Sequence, residues 1–305
     1  QSAEDFAKRF NVARNYGSYE EVAKDPEVEI IYVSTVHPQH KNCCLMALNN
    51  GKHVLCEKPL TMNAKEAQEV VDLARKKNLF FMEAMWTRYF PAIVKVRELV
   101  QSGALGEIKL FQGNFGFKNT GTPRLVEPDL GGGALLDIGI YPITFASMIF
   151  GPGAPSKIMA LGHLGPSNVD EVISVMLGYK PDQIANIVCS IVADCPKEID
   201  VIGTNGRIRI HKPFWCPSKI TVSLNKGGKD LEETTYDFPL PEIKPGHTYN
   251  FTNSEGMRYE IDYVHSMLAQ GRTESAVETL EESLTIMKIM DEIRRQIGLT
   301  YSADK

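Results

Sequence analysis

The sequence lacks the features that would point to a membrane protein or a nucleic-acid binder. Its apolar runs are short: the longest, Ile138 to Phe150, is interrupted by Gly139, Pro142 and Ser147, so no transmembrane helix is expected. Lys and Arg number 33 against 38 Asp and Glu, and a mildly acidic chain without a basic block is a poor nucleic-acid binder. We therefore expect neither a membrane nor a nucleic acid as a partner.

The six cysteines form no CxxC pair and no spacing typical of metal ligands. Their neighbours are mostly apolar, which favours free thiols in a reducing compartment, so we expect a cytoplasmic protein. His37 and His40 lie three residues apart, but no third ligand is close in the sequence. No metal site is expected.

The chain contains 305 residues, of which 43% are apolar and 23% charged, and this length is typical of two globular domains. Its first part alternates between helical and strand-like segments. Three short apolar runs predict buried strands over Val28–Ser34, His53–Cys56 and Leu79–Met82. Helices between such strands are typical of α/β proteins, so residues 1–91 are predicted to form a doubly wound parallel sheet.

The pattern changes after residue 91. One helix is predicted over Ala92–Ser102 and another over residues 133–150, and strand-like runs separated by turns fill the stretch from 157 to 238. Two further helices end the chain. Residues 92–305 are thus predicted to form an α+β domain with a large, open, mainly antiparallel sheet, whose uncovered face is a candidate interface for a homodimer.

Polar residues follow two of the predicted parallel strands. The segment from Ser34 to His40, which includes Thr35, follows the first strand, and Glu57 and Lys58 follow the second. Because ligands of open α/β sheets bind at the carboxyl ends of the strands, these groups are expected to be neighbours in a site. The alternative, which is the more common one for an arbitrary EKP segment, is a solvated loop.

Asp137 and Tyr141 lie four residues apart on the predicted helix 133–150 and so share one face. The rest of that helix is apolar, and a buried carboxylate is costly unless it is paired. Pro142 removes a helical hydrogen bond and is expected to distort the turn at Tyr141. A functional site and a satisfied Asp–Tyr hydrogen bond in the core explain this pattern equally well.

Two aromatic residues are candidates for the walls of an apolar substrate pocket: Trp86, after the third predicted strand, and Phe115. A pocket of this kind suits a flat, apolar substrate. Aromatic side chains more often serve as plain core, so the alternative stays open.

Four segments together resemble the glucose-fructose oxidoreductase/inositol dehydrogenase family: CEKP at 56–59, HPQH at 37–40, EAMWTRYFP at 83–91 and GGGALLDIGIYP at 131–142. The resemblance covers essentially the whole chain. It implies an NAD(P)-binding Rossmann domain followed by an open-faced sheet domain, NADP as cofactor, and a homodimer formed through the sheet. With Trp86 and with tyrosine rather than histidine at position 141, it implies oxidation of aromatic trans-dihydrodiols to catechols and side activity on pentoses such as D-xylose.

The resemblance also implies roles for individual residues. Tyr141 corresponds to the general base, Lys58 to the lysine beside the nicotinamide, and Asp137 to the residue that positions substrate or cofactor. The bond between Lys58 and Pro59 is expected to be cis. The implied cofactor contacts are Thr35, His37, His40, Glu57 and Lys58, and the implied substrate pocket is formed by Trp86, Phe115, Asp137 and Tyr141.

Physical chemistry supports a lysine next to the base. A free tyrosine has a pKa of about 10, and lowering it by about two units needs roughly 2.7 kcal/mol of preference for the phenolate. An ammonium group at ~4 Å contributes on the order of 4 kcal/mol at an effective dielectric constant of about 20, although burial opposes it. We therefore expect Lys58 to lower the pKa of Tyr141, and Asp137 to be bonded to Lys58 or to substrate.

A GxGxxG fingerprint is missing from the sequence, since Gly131, Gly132 and Gly133 follow no predicted parallel strand. The chain begins with a segment predicted to be a helix, where the family has the helix after its second strand. We therefore expect the first strand, the phosphate-binding turn and the second strand to be absent. The strand over 28–34 should then have an unpaired edge, and NADP should bind poorly.

Other functions stay open at this point. In one alternative the main activity is that of a sugar 1-dehydrogenase. In another the chain is a shortened isoform with impaired catalysis that acts in binding or regulation, and a third is lyase or hydrolase chemistry with a tightly held nicotinamide. Dihydrodiol oxidation is favoured because Trp86, Phe115 and Tyr141 suit a flat, apolar substrate.

Overall fold

Two β-sheets flanked by helices make up the chain in the computed structural model, which describes residues 2–151, 153–180, 182–228, 230–243, 249 and 251–305. Within these ranges the first sheet has three parallel strands and the second has eight strands. The parallel sheet predicted for the first part and the open, mainly antiparallel sheet predicted for the second are both confirmed.

The three-stranded sheet forms from the short apolar runs of the first part of the chain. Its order is β1–β2–β3, with Ile30 opposite His53 and Val54 opposite Phe81 in parallel register. The strands are β1 (Ile30–Val33), β2 (His53–Glu57) and β3 (Phe81–Ala84), and the helices around them are α1 (Ser2–Phe10), α2 (Tyr19–Lys24), α3 (His40–Asn49) and α4 (Ala64–Lys77). Asn63 caps α4, because its side chain accepts a hydrogen bond from a backbone amide of the first turn.

β1 is an edge strand of this sheet, since β2 is its one neighbour among the described residues. A cavity of about 540 Å³ lies beside β1, and residues of α2, β1 and α3 line it, among them Val22, Ile31 and Met46. The prediction of an unpaired apolar edge over 28–34 is confirmed.

The eight-stranded sheet has the order β11–β10–β9–β8–β4–β7–β6–β5, in which β4 and β7 pair in parallel and the other neighbours are antiparallel. Its strands are β4 (Ile108–Gly116), β5 (Lys157–Leu164), β6 (Asp170–Gly178), β7 (Ile184–Ser190), β8 (Ile199–Gly203), β9 (Gly206–Ile210), β10 (Lys219–Leu224) and β11 (Glu232–Asp237). Side chains alternate along the strands: Val175 and Leu177 of β6 are buried, whereas Met176 is 43% exposed. One face of the sheet therefore belongs to the core, and the other faces solvent.

The second part of the chain also contains helices. The elements are α5 (Pro91–Gln101), α6 (Pro123–Val126), a π-helical turn (Leu135–Gly139), α7 (Ile140–Phe150), α8 (Met257–Ala269) and α9 (Leu280–Ile297). Of these, the π-helical turn, α7 and α9 contact the core face of this sheet. α7 packs against β4 and β7, whereas α9 contacts β5 of the large sheet as well as α4 and β3 of the small one. The predicted domain boundary between residues 91 and 92 falls at the start of α5, and it stays a prediction.

The segment Pro128–Phe150 corrects one expectation from the sequence. By length and composition it is able to cross a membrane, with a mean hydropathy of 1.6, because Gly139 and Pro142 interrupt the apolar run without lowering the average much. The mean hydropathy refers to an 18-residue stretch within the segment, and 89% of that stretch is buried inside the protein. It is thus the core helix of the second part of the chain, and the expectation that no apolar segment reaches this length is wrong.

Candidate active site

The loops that follow β1 and β2 meet next to the π-helical turn before α7. His40 joins the two loops, since its ring nitrogens lie 2.8 Å from the carbonyl oxygen of Pro59 and 3.0 Å from that of Thr35. The peptide bond between Lys58 and Pro59 is cis, as predicted. The predicted proximity of the two strand ends is confirmed, and it places Lys58 against the helical segment 135–150.

Lys58 is held by Asp137. The ammonium group donates hydrogen bonds to the main-chain carbonyl oxygen of Asp137 at 2.6 Å and to its carboxylate oxygen Oδ1 at 3.3 Å. The side chains are 12% and 7% exposed, so the alternative of a solvated loop does not hold for Lys58. The expected bond between the two residues is confirmed, and two oxygen atoms of one residue set the direction of the ammonium group.

A second cation, Arg124, also reaches Asp137. Its Nη1 atom lies 2.7 Å from Oδ1, and its side chain is 45% exposed. Burial raises the pKa of Asp137, but the charges of Lys58 and Arg124 outweigh burial and hold the pKa at about 2, so the carboxylate is ionised at neutral pH. Arg124 could not be predicted from the sequence, because it lies 13 residues before Asp137 in a segment without a distinctive pattern.

Tyr141 lies in the same site, and its hydroxyl oxygen accepts a hydrogen bond from Trp86 Nε1 at 3.0 Å. Lys58 Nζ lies 5.1 Å from the centre of the tyrosine ring. Burial, together with the negative charge of Glu57, raises the pKa of Tyr141 well above its usual value, while the hydrogen bond from Trp86 lowers it. The expected lowering of this pKa by Lys58 is not seen, because the ammonium group is directed at Asp137 and burial disfavours the phenolate.

The π-helical turn over Leu135–Gly139 sets the positions of Asp137 and Tyr141. It ends before Pro142, which has no N–H to donate to the carbonyl oxygen of Ile138. The predicted distortion of the helix is therefore confirmed, although the wide turn precedes Tyr141. From this turn Asp137 contacts Lys58, and Tyr141 comes to lie beneath the same ammonium group.

Aromatic rings surround Tyr141. Phe115 lies 5.8 Å from Tyr141 between ring centres, and it stacks on Trp215 at 4.2 Å with an angle of 16°. Thr87 Oγ1 donates to the carbonyl oxygen of Trp215 at 2.5 Å, which ties the segment of Trp86 to that of Trp215. Trp215 was not among the residues predicted to form the pocket. The chain has only 2 tryptophans, so the second one was worth considering beside Trp86.

His37 supports the glycine segment that leads into the π-helical turn. Its Nδ1 atom lies 3.0 Å from the carbonyl oxygen of Gly131. Burial, together with the charge of Lys58, lowers the pKa of His37 to about 3, so the ring is neutral. Because a carbonyl oxygen only accepts hydrogen bonds, we assign the proton to Nδ1. The predicted contacts of His37 and His40 with a cofactor stay predictions.

Two glutamates hold the loop after β2. Glu57 accepts hydrogen bonds from the Tyr32 hydroxyl and, at 3.3 Å, from the Lys58 amide. Glu83, which the sequence analysis did not single out, is buried on β3 and accepts a hydrogen bond from the Leu60 amide at 2.9 Å. These contacts fix the backbone on both sides of the cis peptide bond, and a role of Glu57 in binding a cofactor stays a prediction.

The polar groups at the strand ends fit the nicotinamide end of a dinucleotide. Thr35 Oγ1 is buried next to the Cys43 thiol, which is a weak hydrogen-bond donor, so this hydroxyl keeps the capacity to bond a ligand. Lys58 supplies a cation at the neighbouring strand end. In the part of the chain that the structure describes, no group of three His, Cys, Asp or Glu side chains is arranged to hold a metal ion.

Comparison with known proteins agrees with this fold. Residues 1–85 match an oxidoreductase family with an NAD-binding Rossmann fold, and residues 93–209 match the GFO/IDH/MocA C-terminal domain. Proteins named trans-1,2-dihydrobenzene-1,2-diol dehydrogenase from Danio rerio and Sus scrofa are each 42% identical to this chain over 99% of its length, and over 87% and 88% of their own. The chain belongs to the GFO/IDH/MocA family of oxidoreductases, and the resemblance inferred from its motifs is confirmed.

Solved structures share the fold. A levoglucosan dehydrogenase in complex with NADH and levoglucosan has a TM-score of 0.84 at 21% identity, over 97% of this chain and 85% of that one. A 3-ketoreductase from Actinomadura kijaniata in complex with NADP and TDP-benzene has a TM-score of 0.80 at 23% identity, over 97% and 86%. At these identities the likeness shows the fold, and the predicted fold class is confirmed.

Proposed function

We propose that the chain is an NAD(P)-dependent dehydrogenase that oxidises trans-dihydrodiols of aromatic compounds to catechols. The observation that carries the proposal is Tyr141 with the Lys58 ammonium group over its ring, in a site walled by Phe115 and the two tryptophans. The relatives that are 42% identical and named for this reaction support it.

Oxidation of the diol removes a proton from a hydroxyl group and a hydride from the carbon that bears it. When bound, the nicotinamide supplies the hydride acceptor. Tyr141 Oη, in its phenolate form, takes the hydroxyl proton. Lys58 donates a hydrogen bond to the substrate oxygen, and Asp137 keeps the ammonium group in the orientation that this requires.

The aromatic walls favour a flat, apolar substrate. The stacked pair of Phe115 and Trp215 forms one side of the site, and aromatic rings pack favourably with an unsaturated ring. D-xylose has neighbouring hydroxyl groups but no aromatic face, so we propose it as a side substrate. The kcat/KM values for trans-1,2-dihydrobenzene-1,2-diol and D-xylose test this order, and a higher value for the sugar would favour the sugar 1-dehydrogenase instead.

Tyr141→Phe tests the base. Removal of a general base is expected to lower kcat by on the order of 10²–10⁴, with the affinity for NADPH retained because the ring still fills its place. Tyr19→Phe is the matched control, since Tyr19 is 54% exposed on α2. A loss of less than about tenfold in kcat for Tyr141→Phe would refute the assignment of the base.

We propose NADP as the physiological cofactor on the strength of the family resemblance. Proteins of this fold occur in complex with NADH and with NADP. Fluorescence titration with NADPH and with NADH compares the two directly, and tighter binding of NADH would overturn this choice. The poor binding of NADP expected from the sequence stays a prediction, which the same titration tests.

We also propose that two copies of the chain pair through the uncovered face of the large sheet. The strand register places several exposed apolar side chains on this one face. They are Leu110, Met159, Leu161, Met176, Ile184 and Val188, with exposed fractions between 36% and 77%. An exposed apolar patch of neighbouring side chains is typical of a protein–protein interface.

A further inference from the structure

We propose that Trp86 is a catalytic residue, whose indole N–H stabilises the phenolate of Tyr141 while the substrate hydroxyl gives up its proton. The inference rests on the proposed function, in which Tyr141 is the base. In the proposed function Trp86 only lines the substrate pocket. Here it also contacts the oxygen atom of Tyr141 that accepts the proton.

The geometry makes Trp86 a donor that cannot change its role. Its Nε1 atom lies 3.0 Å from Tyr141 Oη, and an indole nitrogen donates hydrogen bonds but does not accept them. The tyrosine oxygen is therefore the acceptor whether it carries its proton or not. In the neutral form, the hydroxyl proton of Tyr141 must point away from the indole.

The surroundings of Tyr141 leave few other sources of stabilisation for the negative charge. Burial disfavours the phenolate, and the carboxylates of Glu57 and Asp137 disfavour it further. The ammonium group of Lys58 lies near the ring but is bonded to Asp137. The hydrogen bond from Trp86 is the direct contact with Oη that favours ionisation.

The hydrogen bond acts more strongly on the phenolate than on the phenol. A bond from N–H to a charged oxygen is shorter and roughly twice as strong as one between neutral groups, so its effect is largest when the base is ready to react. In this step the substrate oxygen would give its proton to Oη and Trp86 would keep its own, while a bound nicotinamide would supply the hydride acceptor. The gain comes from the larger fraction of Tyr141 that is ionised before the step, because the bond weakens again as Oη takes up the proton.

The position of the indole is fixed before substrate binds. Trp86 begins a 3₁₀ turn that follows β3, and its ring meets Phe90 edge-on at 5.3 Å. Two residues further on, Arg88 is anchored to Glu282 of α9 at 2.5 Å, and the same glutamate oxygen accepts a hydrogen bond from Ser147 of α7 at 2.6 Å. One carboxylate therefore ties the turn that carries Trp86 to the helix that carries Tyr141, which is the preorganisation that electrostatic catalysis requires.

The test replaces Trp86 in the full chain by β-(3-benzothienyl)alanine, which keeps the bicyclic shape and has sulfur in place of the N–H. We expect kcat for the dihydrodiol to fall roughly tenfold or more, as for loss of one charge-assisted hydrogen bond, with KM changed much less. A second readout needs no turnover: NMR of carbon-labelled tyrosine, assigned with Tyr141→Phe, should show the ionisation of Tyr141 moving to higher pH.

Trp215→Phe is the matched control, because it removes an indole from the same pocket that does not contact Tyr141 Oη. It is expected to raise KM and to leave the ionisation of Tyr141 in place. If the benzothienyl variant keeps both its kcat and the ionisation of Tyr141, the role of Trp86 is overturned.

Failure of the proposed function gives a different result. If Tyr141→Phe retains its activity, Tyr141 is not the base and the proposed mechanism falls. If Tyr141→Phe is inactive while the benzothienyl variant is fully active, the base stands and only the inference about Trp86 falls. In the Tyr141→Phe background, replacement of Trp86 should cause no further loss of kcat if the two side chains act as one unit.

Discussion

The Lys58 ammonium group donates to two oxygen atoms of Asp137, the main-chain carbonyl at 2.6 Å and the carboxylate at 3.3 Å. The lysine follows β2, and the aspartate lies in the π-helical turn of a segment 79 residues later. Their contact joins the small parallel sheet to the core helix of the second part of the chain. Removing the lysine leaves the Asp137 carboxylate with Arg124 at 2.7 Å, and removing the carboxylate leaves the ammonium group with the main-chain carbonyl oxygen.

Replacement of Lys58 by methionine should therefore inactivate and destabilise the enzyme. Breaking a buried pair costs roughly 3–5 kcal/mol when the remaining charge is left uncompensated, and we expect a smaller loss here because Arg124 still pairs the Asp137 carboxylate at 2.7 Å. Adding Asp137→Asn should recover part of this loss, because the buried negative charge that lost the lysine disappears. Free energies of unfolding of the two single variants and the double variant measure the coupling, and strictly additive values would contradict it.

The rate of diol oxidation should rise with pH well beyond neutrality. Burial raises the pKa of Tyr141 well above its usual value, and only the phenolate accepts a proton. Below that pKa, the phenolate fraction and kcat/KM increase about tenfold for each pH unit. Initial rates between pH 6 and 10 measure this slope, with the residual activity of Tyr141→Phe as the baseline. A plateau that begins below neutral pH would contradict the raised pKa.

Asp170 should make the protein less stable as the pH rises. Its carboxylate accepts a hydrogen bond from the Leu135 amide at 2.6 Å, and burial raises its pKa to about 7. An unfolded aspartate titrates near pH 3.9, so between about pH 4 and 7 the folded state binds more protons. Stability is then full below about pH 4 and falls by up to about 1.4 kcal/mol per pH unit toward pH 7.

Asp170→Asn should remove this slope. Denaturant titrations at pH 5 and pH 8 are expected to differ less for the variant than for the parent chain. Asp262→Asn is the control, since the side chain of Asp262 is 65% exposed on α8. Equal slopes for the parent and Asp170→Asn would show that the carboxyl ionises normally in the fold.

Leu161→Lys should separate a dimer that forms through the large sheet. Leu161 lies on β5 and is 77% exposed, and pairing two such faces would bury two lysines among apolar side chains. Sedimentation velocity should show a dimer for the parent chain and a monomer for the variant. Ile261→Lys, on α8 and away from this face, should leave the sedimentation unchanged. A parent chain that sediments as a monomer would rule out the interface.

Much of the fold could be predicted because it depends on local patterns. Short apolar runs bounded by turn residues gave the parallel strands, and β2 begins at His53 as predicted. The rule that ligands bind at the carboxyl ends of strands placed Lys58 in the site, and the cost of a buried carboxylate led us to expect its bond to Asp137. The spacing of Asp137 and Tyr141 placed both on one helical segment, and the structure adds the π-helical turn there.

The missed features depend on contacts between distant parts of the chain. Trp215 stacks on Phe115 from a segment 100 residues away in sequence, and no local pattern marks Arg124 as a partner of Asp137. The direction of the pKa shift of Tyr141 was missed for a related reason. A lysine nearby lowers that pKa only if its charge faces the hydroxyl, and the sequence does not tell which oxygen the ammonium group faces.

The double role of Glu282 has a consequence for how this enzyme responds to change. One oxygen of this residue, which lies on α9, accepts hydrogen bonds from both Arg88 and Ser147. The position of α9 therefore affects the distance between Trp86 and Tyr141. Substitutions along α9 that shift the helix slightly would slow or speed turnover while the surface that meets the substrate stays the same. Screens for faster variants should therefore include positions on α9, although this helix lies outside the aromatic walls of the site.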